Sequence, residues 1–175
     1  MSLFDEVGGL IRQYAAGRAA SAANLGEHFD QVSQAVPSSS MAAGLAAALG
    51  SSGSASFGQM ASQLFASSGS TQQAGLVNTL LATAGPEVLQ RFLGANAGSA
   101  LEGLLAGGQA QVSPEQAASV PPEEVQALAQ HVHSNSPSIA DSVGEIYGEH
   151  PTLIKTLGAV AMTMALRNIA ERHSA

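Results

Sequence analysis

The residues of this 175-residue chain that could do chemistry are histidines and carboxylates in its C-terminal third. His131 and His133 lie two positions apart, so on a helix they would point about 200° apart and could not bind one metal ion. Glu145 and Glu149 form a carboxylate pair at i, i+4 spacing, with His150 beside it. A di-metal carboxylate site would use Glu-x-x-His on facing helices, and that pattern is missing. Exposed helix-end residues explain this cluster better than a metal site.

Other signatures of catalysis are missing from the sequence. The glycines at 94, 98 and 103 follow no strand and precede no Gly-Lys-Ser/Thr, so they do not form a phosphate-binding loop. No serine lies in a nucleophile-elbow pattern. With Cys 0 the chain has no disulfide, thiolate metal site or cysteine nucleophile. The sequence predicts neither an enzyme nor a cofactor. The alternative left open is a small-ligand or metal-binding helical module that uses His131, Glu145, Glu149 and His150.

Charge and hydropathy limit the range of partners. The formal charge is −7 and the pI is near 5.0. The 6 basic residues are scattered, so the sequence carries no positive footprint for nucleic acid. The most apolar run, residues 156–166, is shorter than the ~20 residues that cross a bilayer. The sequence lacks the basic region followed by an apolar run that would predict a signal peptide. We expect a cytoplasmic protein with no membrane span.

Residues 2–20 predict an amphipathic helix, with acidic side chains in the first turn. One interpretation is a helix that lies on a membrane surface. Its polar face carries only Arg12 and Arg18, which attract anionic lipid weakly. Packing against the core or a partner is therefore the preferred interpretation.

Residues 112–157 contain the densest helix-start signals in the chain. Ser113-Pro114-Glu115-Gln116 predicts a capping box, in which serine and glutamine satisfy the free amides of the first turn. Further starts are predicted at Pro121-Pro122, Ser136-Pro137 and His150-Pro151. The last of these opens a long C-terminal helix over residues 151–172, with an apolar stripe of Leu153, Leu157, Val160 and Met164. This helix is apolar over more than one face, so we expect it to be buried within the bundle or against another copy.

The segment 31–86 contains no charged residue, although ordinary domains have about a quarter of their residues charged. Serine- and glycine-rich tracts divide it into the apolar pieces 41–49, 57–65 and 74–84, each predicted as a short helix with a Ser or Thr N-cap. Two interpretations are open. The segment is either mobile low-complexity sequence, or a helical surface that other copies of the chain cover.

Self-association is the leading functional hypothesis. Aromatic residues make up only 4% of the chain, so the core must be thin, and contacts between copies would supply missing buried area. We expect a non-enzymatic structural protein that forms a homo-oligomer or a helical polymer. A secreted, harpin-like effector is a further alternative, suggested by the Gly/Ser/Gln-rich, acidic composition. The predicted contact residues are Leu49, Phe57, Met60, Leu64, Phe65, Leu76 and Leu80.

Short phrases at both ends of the chain resemble the bacterial family of unknown function typified by YidB. They are Met1-Ser2-Leu3-Phe4-Asp5, Val112-Ser113-Pro114-Glu115-Gln116, Leu128-Ala129-Gln130 and His150-Pro151-Thr152-Leu153-Ile154. The chain departs from the family pattern at Val120-Pro121, where Leu-Gly is usual, and at Lys155, where Asp is usual. The resemblance implies an all-helical fold and brings no established activity or active-site residues.

Together these patterns predict an all-α, multi-helix bundle. Residues 1–110 would form an Ala/Gly/Ser-rich helical region that mediates assembly. Residues 111–175 would form a compact YidB-like helical unit that ends in the long C-terminal helix.

Overall fold

A computed structural model describes residues 3–16, 22–51, 53–108 and 111–173 of the chain. Within these ranges the structure is built from helices and contains no strand, so the predicted all-α class is confirmed. The described helices are α1 (Leu3–Ala15), α2 (Ala22–Ala35), α3 (Ser38–Gly50), α4 (Gly53–Ser67), α5 (Ser70–Ala95), α6 (Ala100–Ala106), α7 (Pro114–Ala118), α8 (Pro122–Asn135), α9 (Ile139–Tyr147), α10 (Pro151–Lys155) and α11 (Ala159–His173).

Helix α3 is the central element, and its composition explains its place. Its sequence SSSMAAGLAAALG offers almost no bulky side chains, so neighbouring backbones can approach it closely. Helices α9 and α11 pack on two sides of it. On the α9 side, a Cβ added to Gly144 would lie 2.5 Å from the carbonyl oxygen of Ala42, and one on Gly148 would lie 2.7 Å from Ala42 Cα. The α3–α9 contact is therefore made through small residues spaced four apart on both helices.

Helix α4 packs mainly on α8. Phe57, Ala61 and Leu64 point inward and are fully buried. At Gly58 a Cβ would lie 2.7 Å from the carbonyl oxygen of Gln126, so this pair of helices is also closely spaced. The uncharged helices α3 and α4 are thus covered on their inner faces by helices from the C-terminal third.

Helix α5 bends at Gly85, whose φ of 70° and ψ of 170° are non-helical. Its first half is joined to the segment before α7 by the Asn78 side chain. The Asn78 amide donates to the carbonyl of Val112 at 3.0 Å, and the Val112 amide donates to Asn78 Oδ1 at 2.7 Å.

Helix α6 is joined to α8 by a carboxylate. The Glu124 carboxylate of α8 accepts from the amides of Ala100 and Leu101 at 2.9 and 3.2 Å. One carboxylate therefore caps the first turn of α6.

A single hydrophobic core joins the two predicted regions. It includes side chains from α1, such as Val7, through to Ala170 of α11. Its largest fully buried side chains include Tyr147, Phe29 and Phe57, so these aromatic residues lie in the interior. The proposed boundary near residue 110 lies at residues 109–110, which are outside the described ranges. The division into two regions stays a prediction.

The predicted long C-terminal helix over residues 151–172 is wrong. The structure has α10 and α11 instead, separated by residues 156–158. Gly158 adopts a φ of 88°, a left-handed conformation that only glycine adopts without strain. Its amide donates to the Lys155 carbonyl at 3.2 Å, and the chain leaves the first helix there. Periodicity alone did not reveal this break, because the apolar spacing continues across it.

Helices α1 and α2 pack on each other and on α11. Val7 and Tyr14 of α1 are buried, which places the apolar face of this helix against the chain itself. The Tyr14 hydroxyl lies 3.3 Å from His28 Nδ1 of α2. Lys155 Nζ lies 2.7 Å from Asp30 Oδ2 and joins α10 to α2. Residue 2 and residues 17–20 of the predicted 2–20 helix lie outside the described residues.

Candidate functional site

The predicted contact residues occupy two different environments. Met60 is half-buried at the edge of α4. The other six are at most 2% exposed and pack inside the chain's own core, where they have no surface to offer a second copy: Leu49, Phe57, Leu64, Phe65, Leu76 and Leu80. The structure thus corrects the proposed location of the contact surface. These residues are buried because α8 and α9 cover the inner faces of the uncharged helices.

An uncharged groove of mixed polar and apolar lining lies between α4 and the N-terminal half of α11. Its volume is about 240 Å³. Val160 is 70% exposed and Met164 is 38% exposed, and both lie on this groove. None of its lining residues is charged: Ser56, Gln59, Met60, Gln63, Leu157, Val160, Ala161 and Met164. We call this surface the α4–α11 groove.

The sequence of α11 explains why the groove exists. Its first half, AVAMTMAL, is apolar around more than one face. The Ala161, Ala165 and Leu166 face is buried in the bundle, which leaves a second apolar face on the outside. Val160 and Met164 are four residues apart and share that outer face. The sequence predicts that this helix is buried within the bundle or against another copy, and in the single chain Val160 and Met164 are exposed.

Met164 lies against the residue that follows α3. The Ser51 hydroxyl lies 3.5 Å from Met164 Sδ and 3.2 Å from the carbonyl oxygen of Ala48, and its single proton can be donated to either acceptor. Methionine adapts to irregular surfaces because its chain is flexible and its sulfur polarisable. An exposed methionine is therefore suited to pack against a second surface.

The histidines and carboxylates that suggested a metal site are spread over separate surfaces. His131 lines a cavity of about 420 Å³ with Phe92, where α4, α5 and α8 meet. Glu145 lines a different cavity against α3, and His150 Nε2 lies 3.5 Å from the Gln72 side-chain amide nitrogen. Among the described residues no three His, Asp or Glu side chains are grouped so that they could hold a metal ion.

A serine–histidine pair occurs where α4 meets α8. Ser54 Oγ lies 3.2 Å from His133 Nδ1, which is hydrogen-bonding distance for a nucleophile and a base. In a working triad the other ring nitrogen is oriented by a carboxylate. Here His133 Nε2 is buried and has no hydrogen-bond partner in the described part of the chain. Burial also lowers the pKa of the His133 imidazole below its usual value, which weakens it as a base. The geometry does not support nucleophilic catalysis.

Sequence reasoning missed the environment of His133. In the sequence of α8, Val125, Leu128, Ala129 and Val132 recur at i, i+3, i+4 and i+7, which predicts one apolar stripe. His133 lies four residues after Ala129 and so continues the same stripe. That spacing was the signal for a buried histidine, and its ring is 6% exposed in the structure.

Comparison with protein-family models, curated proteins and solved structures gives no match for this chain. The resemblance to the YidB-like family is neither supported nor refuted by these comparisons. Among the described residues, no helix is both long and apolar enough to cross a membrane.

Proposed function

We propose that this protein is a non-enzymatic structural protein that associates with copies of itself through the α4–α11 groove. The observation that supports the proposal is the position of Val160 and Met164. They are the exposed large hydrophobic side chains of the described chain, and they lie together on one uncharged surface. Solitary exposed apolar residues need no explanation, whereas a grouped pair beside a groove is typical of an interaction site.

Charge makes the α4–α11 groove a surface where the approach of a second copy is least opposed. The chain carries a formal charge of −7, so two copies repel each other over most of their surfaces. Two of the other cavities hold charged side chains, Asp141 and Arg172 in one and Arg167 and Glu171 in the other, whereas the cavity beside His131 is lined by no acid, lysine or arginine. The α4–α11 groove holds none, so approach there does not desolvate a charge.

The shape of this surface also suits a symmetric pair. A two-fold interface requires one surface to carry both a projecting group and a recess that receives it. Val160 projects at 70% exposure, and the groove lies directly beside it. Two copies related by a two-fold axis could each place Val160 in the groove of the other.

The test replaces apolar contact residues by lysine and follows mass by size-exclusion chromatography with light scattering. We expect the wild-type chain to associate as concentration rises, and Val160→Lys and Met164→Lys to shift it to monomer. Because both side chains are exposed, thermal unfolding should change by no more than about 0.5 kcal/mol in stability. A wild-type chain that stays monomeric at high concentration would refute the proposal.

The matched control is Ala82→Lys, which adds the same charge at an exposed position of α5 outside the groove. Association should survive this change. Leu64→Lys serves as a different comparison, since Leu64 is fully buried and a lysine there should unfold the chain rather than separate folded copies. If Ala82→Lys dissociates the assembly as fully as Val160→Lys does, the effect is one of net charge and the groove is not the interface.

A second candidate function is binding of a small ligand in the cavity beside His131. Its volume of about 420 Å³ lies within the usual range for ligand sites, and Phe92 offers it an aromatic wall. The polar groups of Gln130, Asn96 and His131 line the same space. A thermal-shift screen over divalent ions and small organic compounds tests this candidate, because a ligand of the native state raises its apparent stability. A response that His131→Ala abolishes would support it.

A further inference from the structure

Helix α4 is joined to α8 around one buried histidine. The His133 ring stacks on Phe57 of α4, with ring centroids 4.5 Å apart and an interplanar angle of 16°. Its Nδ1 lies 3.2 Å from the Ser54 hydroxyl, also of α4. Its Nε2 is buried and has no hydrogen-bond partner among the described residues. The hydrogen-bond partner and the stacking partner of this ring therefore both belong to α4, the helix that packs on α8.

The neutral ring fits this site better than the charged one. A neutral imidazole has one N–H, and the Ser54 hydroxyl can either donate to Nδ1 or accept from it. An imidazolium has two N–H donors, and the donor at Nε2 would find no acceptor. The Phe57 face attracts a cation, but this attraction is smaller than the cost of burying an unpaired charge. Protonation therefore opposes the closed contact between α4 and α8.

No charged neighbour compensates for that cost. Helix α4 contains no titratable residue at all. On α8 the acids Glu123 and Glu124 lie at the opposite end, and Glu124 is engaged by the amides of α6. The remaining titratable group of α8 is His131, which contacts Phe92. The charged or titratable groups of the other packed elements are Glu87 and Arg91 on α5, Asp141, Glu145 and Tyr147 on α9, and His150 and Lys155 at α10. None of these forms a hydrogen bond or ion pair with His133 among the described contacts.

We propose that His133 is a pH-sensitive latch, which holds α4 against α8 when neutral and releases α4 when protonated. Release would remove one wall of the α4–α11 groove, since Ser56, Gln59, Met60 and Gln63 belong to α4. The latch itself rests on the α4–α8 contact alone. Its consequence for association rests on the proposed function.

The direction of the pH effect follows from proton binding. With α4 released, His133 is hydrated and titrates near its ordinary value of about 6.5. In the closed form burial lowers its pKa. The open form therefore binds the proton first, and the opening equilibrium constant rises as pH falls below about 6.5, by at most tenfold for each pH unit. The rise stops once pH reaches the pKa of the closed form, and above pH 6.5 opening is independent of pH.

Hydrogen exchange on the full chain tests the latch. Exchange of the α4 amides is followed by mass spectrometry between about pH 7.5 and pH 5, with rates corrected for intrinsic exchange. We expect α4 protection to fall several-fold at the lower pH. The α3 and α9 amides are the internal control, because neither helix contains a histidine, and their protection should change less.

His133→Phe keeps the stack on Phe57 and cannot titrate, so it should remove the pH dependence of α4. His131→Phe is the matched control and should retain it, since His131 is half-exposed and contacts Phe92 edge-on. If His133→Phe fails to fold, His133→Gln replaces it. Wild-type α4 protection that is equal at both pH values would overturn the latch, as would a pH dependence that survives in a folded His133 variant.

Light scattering at the same two pH values separates the two proposals. A pH-dependent α4 in a chain that stays monomeric at both values supports the latch and refutes self-association. Association that Val160→Lys abolishes, with α4 protection unchanged by pH, supports self-association and refutes the latch. If both hold, the dimer should weaken below pH 6.5 in the wild type and not in His133→Phe.

Discussion

Three glycines set the spacing of the central helices. Gly144 and Gly148 of the α9 segment face Ala42 and Ala46 of α3, and Gly44 faces Ala165 and Ile169 of α11. A methyl group at any of them would meet an atom at 2.5 to 2.9 Å. At Gly144 and Gly148 the nearest atoms belong to backbone, which cannot rotate away. These positions therefore require glycine because of close approach, even though their backbone conformation is ordinary.

Gly148→Ala should destabilise the protein by about 1–3 kcal/mol, because the added methyl forces α9 away from α3. Urea unfolding followed by circular dichroism measures this loss. Gly103→Ala is the matched control: Gly103 lies within α6, and a methyl there meets nothing within 4 Å. It should gain about 0.5–1 kcal/mol from helix propensity. Equal effects of the two substitutions would show that helix propensity, and not the close contact, governs both sites.

At the residue scale, the sequence predicted some local hydrogen bonds at helix ends, but it did not predict which side chains are buried against which neighbours. The capping box of Ser113 and Gln116 is present with both hydrogen bonds. The Ser/Thr caps predicted for the uncharged helices are absent at α3 and α5, where Pro37 and Gly69 occupy the N-cap position. A capping signal depends only on neighbouring residues. It therefore predicts the N-cap correctly when the helix begins at the residue that the apolar pattern indicates. Serine is so frequent in this segment that its presence before a helix carried little information.

At the element scale, the short segment before α7 is fixed by hydrogen bonds to a side chain of α5. Asn78 exchanges two hydrogen bonds with the backbone of Val112, which is buried at 4% exposure. This arrangement satisfies two buried backbone groups with one amide. It also explains how the predicted boundary region is attached to the rest of the fold.

Asn78→Ala should cost about 1–3 kcal/mol, since the amide and carbonyl of Val112 would stay buried without partners. Chemical denaturation provides the measurement, and hydrogen exchange should show faster exchange at α7. Asn96→Ala is the comparison, because that asparagine also donates to a backbone carbonyl, of Phe92, but is exposed. Its cost should stay within about 0.5 kcal/mol. A similar loss in both variants would contradict the importance of burial.

The order of helices could be anticipated, but their partners could not. A proline interrupts helices, so Pro37 and Pro86 predict boundaries, and the structure has a helix end at Ala35 and a bend at Gly85. The pairing of α3 with α9, and of α4 with α8, depends on glycines that meet residues more than 60 positions away along the chain. Such matches have no period, so a pattern search along the sequence does not find them.

At the scale of the whole molecule, the uncharged segment 31–86 has a different origin from the one predicted. The structure contains helices α3, α4 and most of α5 there, so the interpretation as mobile low-complexity sequence is not supported. Their inner faces are covered by the same chain, and their exposed positions are Ser, Gln, Gly, Thr, Ala or Pro. Much of the missing charge is thus explained by burial within one copy. What remains unexplained by the monomer is the apolar outer face of α11, and the self-association hypothesis now depends on it.

Salt should strengthen the association of copies if the α4–α11 groove is the interface. The groove carries no charge, so salt has no attractive ion pair to screen there. The repulsion between two copies of net charge −7 acts at longer range and is screened, because the Debye length falls from about 30 Å at 0.01 M salt to about 10 Å at 0.1 M. Sedimentation equilibrium should therefore give an association constant that rises over this range in the wild type. Val160→Lys should remain monomeric throughout, while Ala82→Lys should associate more readily than the wild type at low salt. An association constant that falls as salt rises would instead indicate an interface built on opposite charges, and would place the contact on one of the charged cavities.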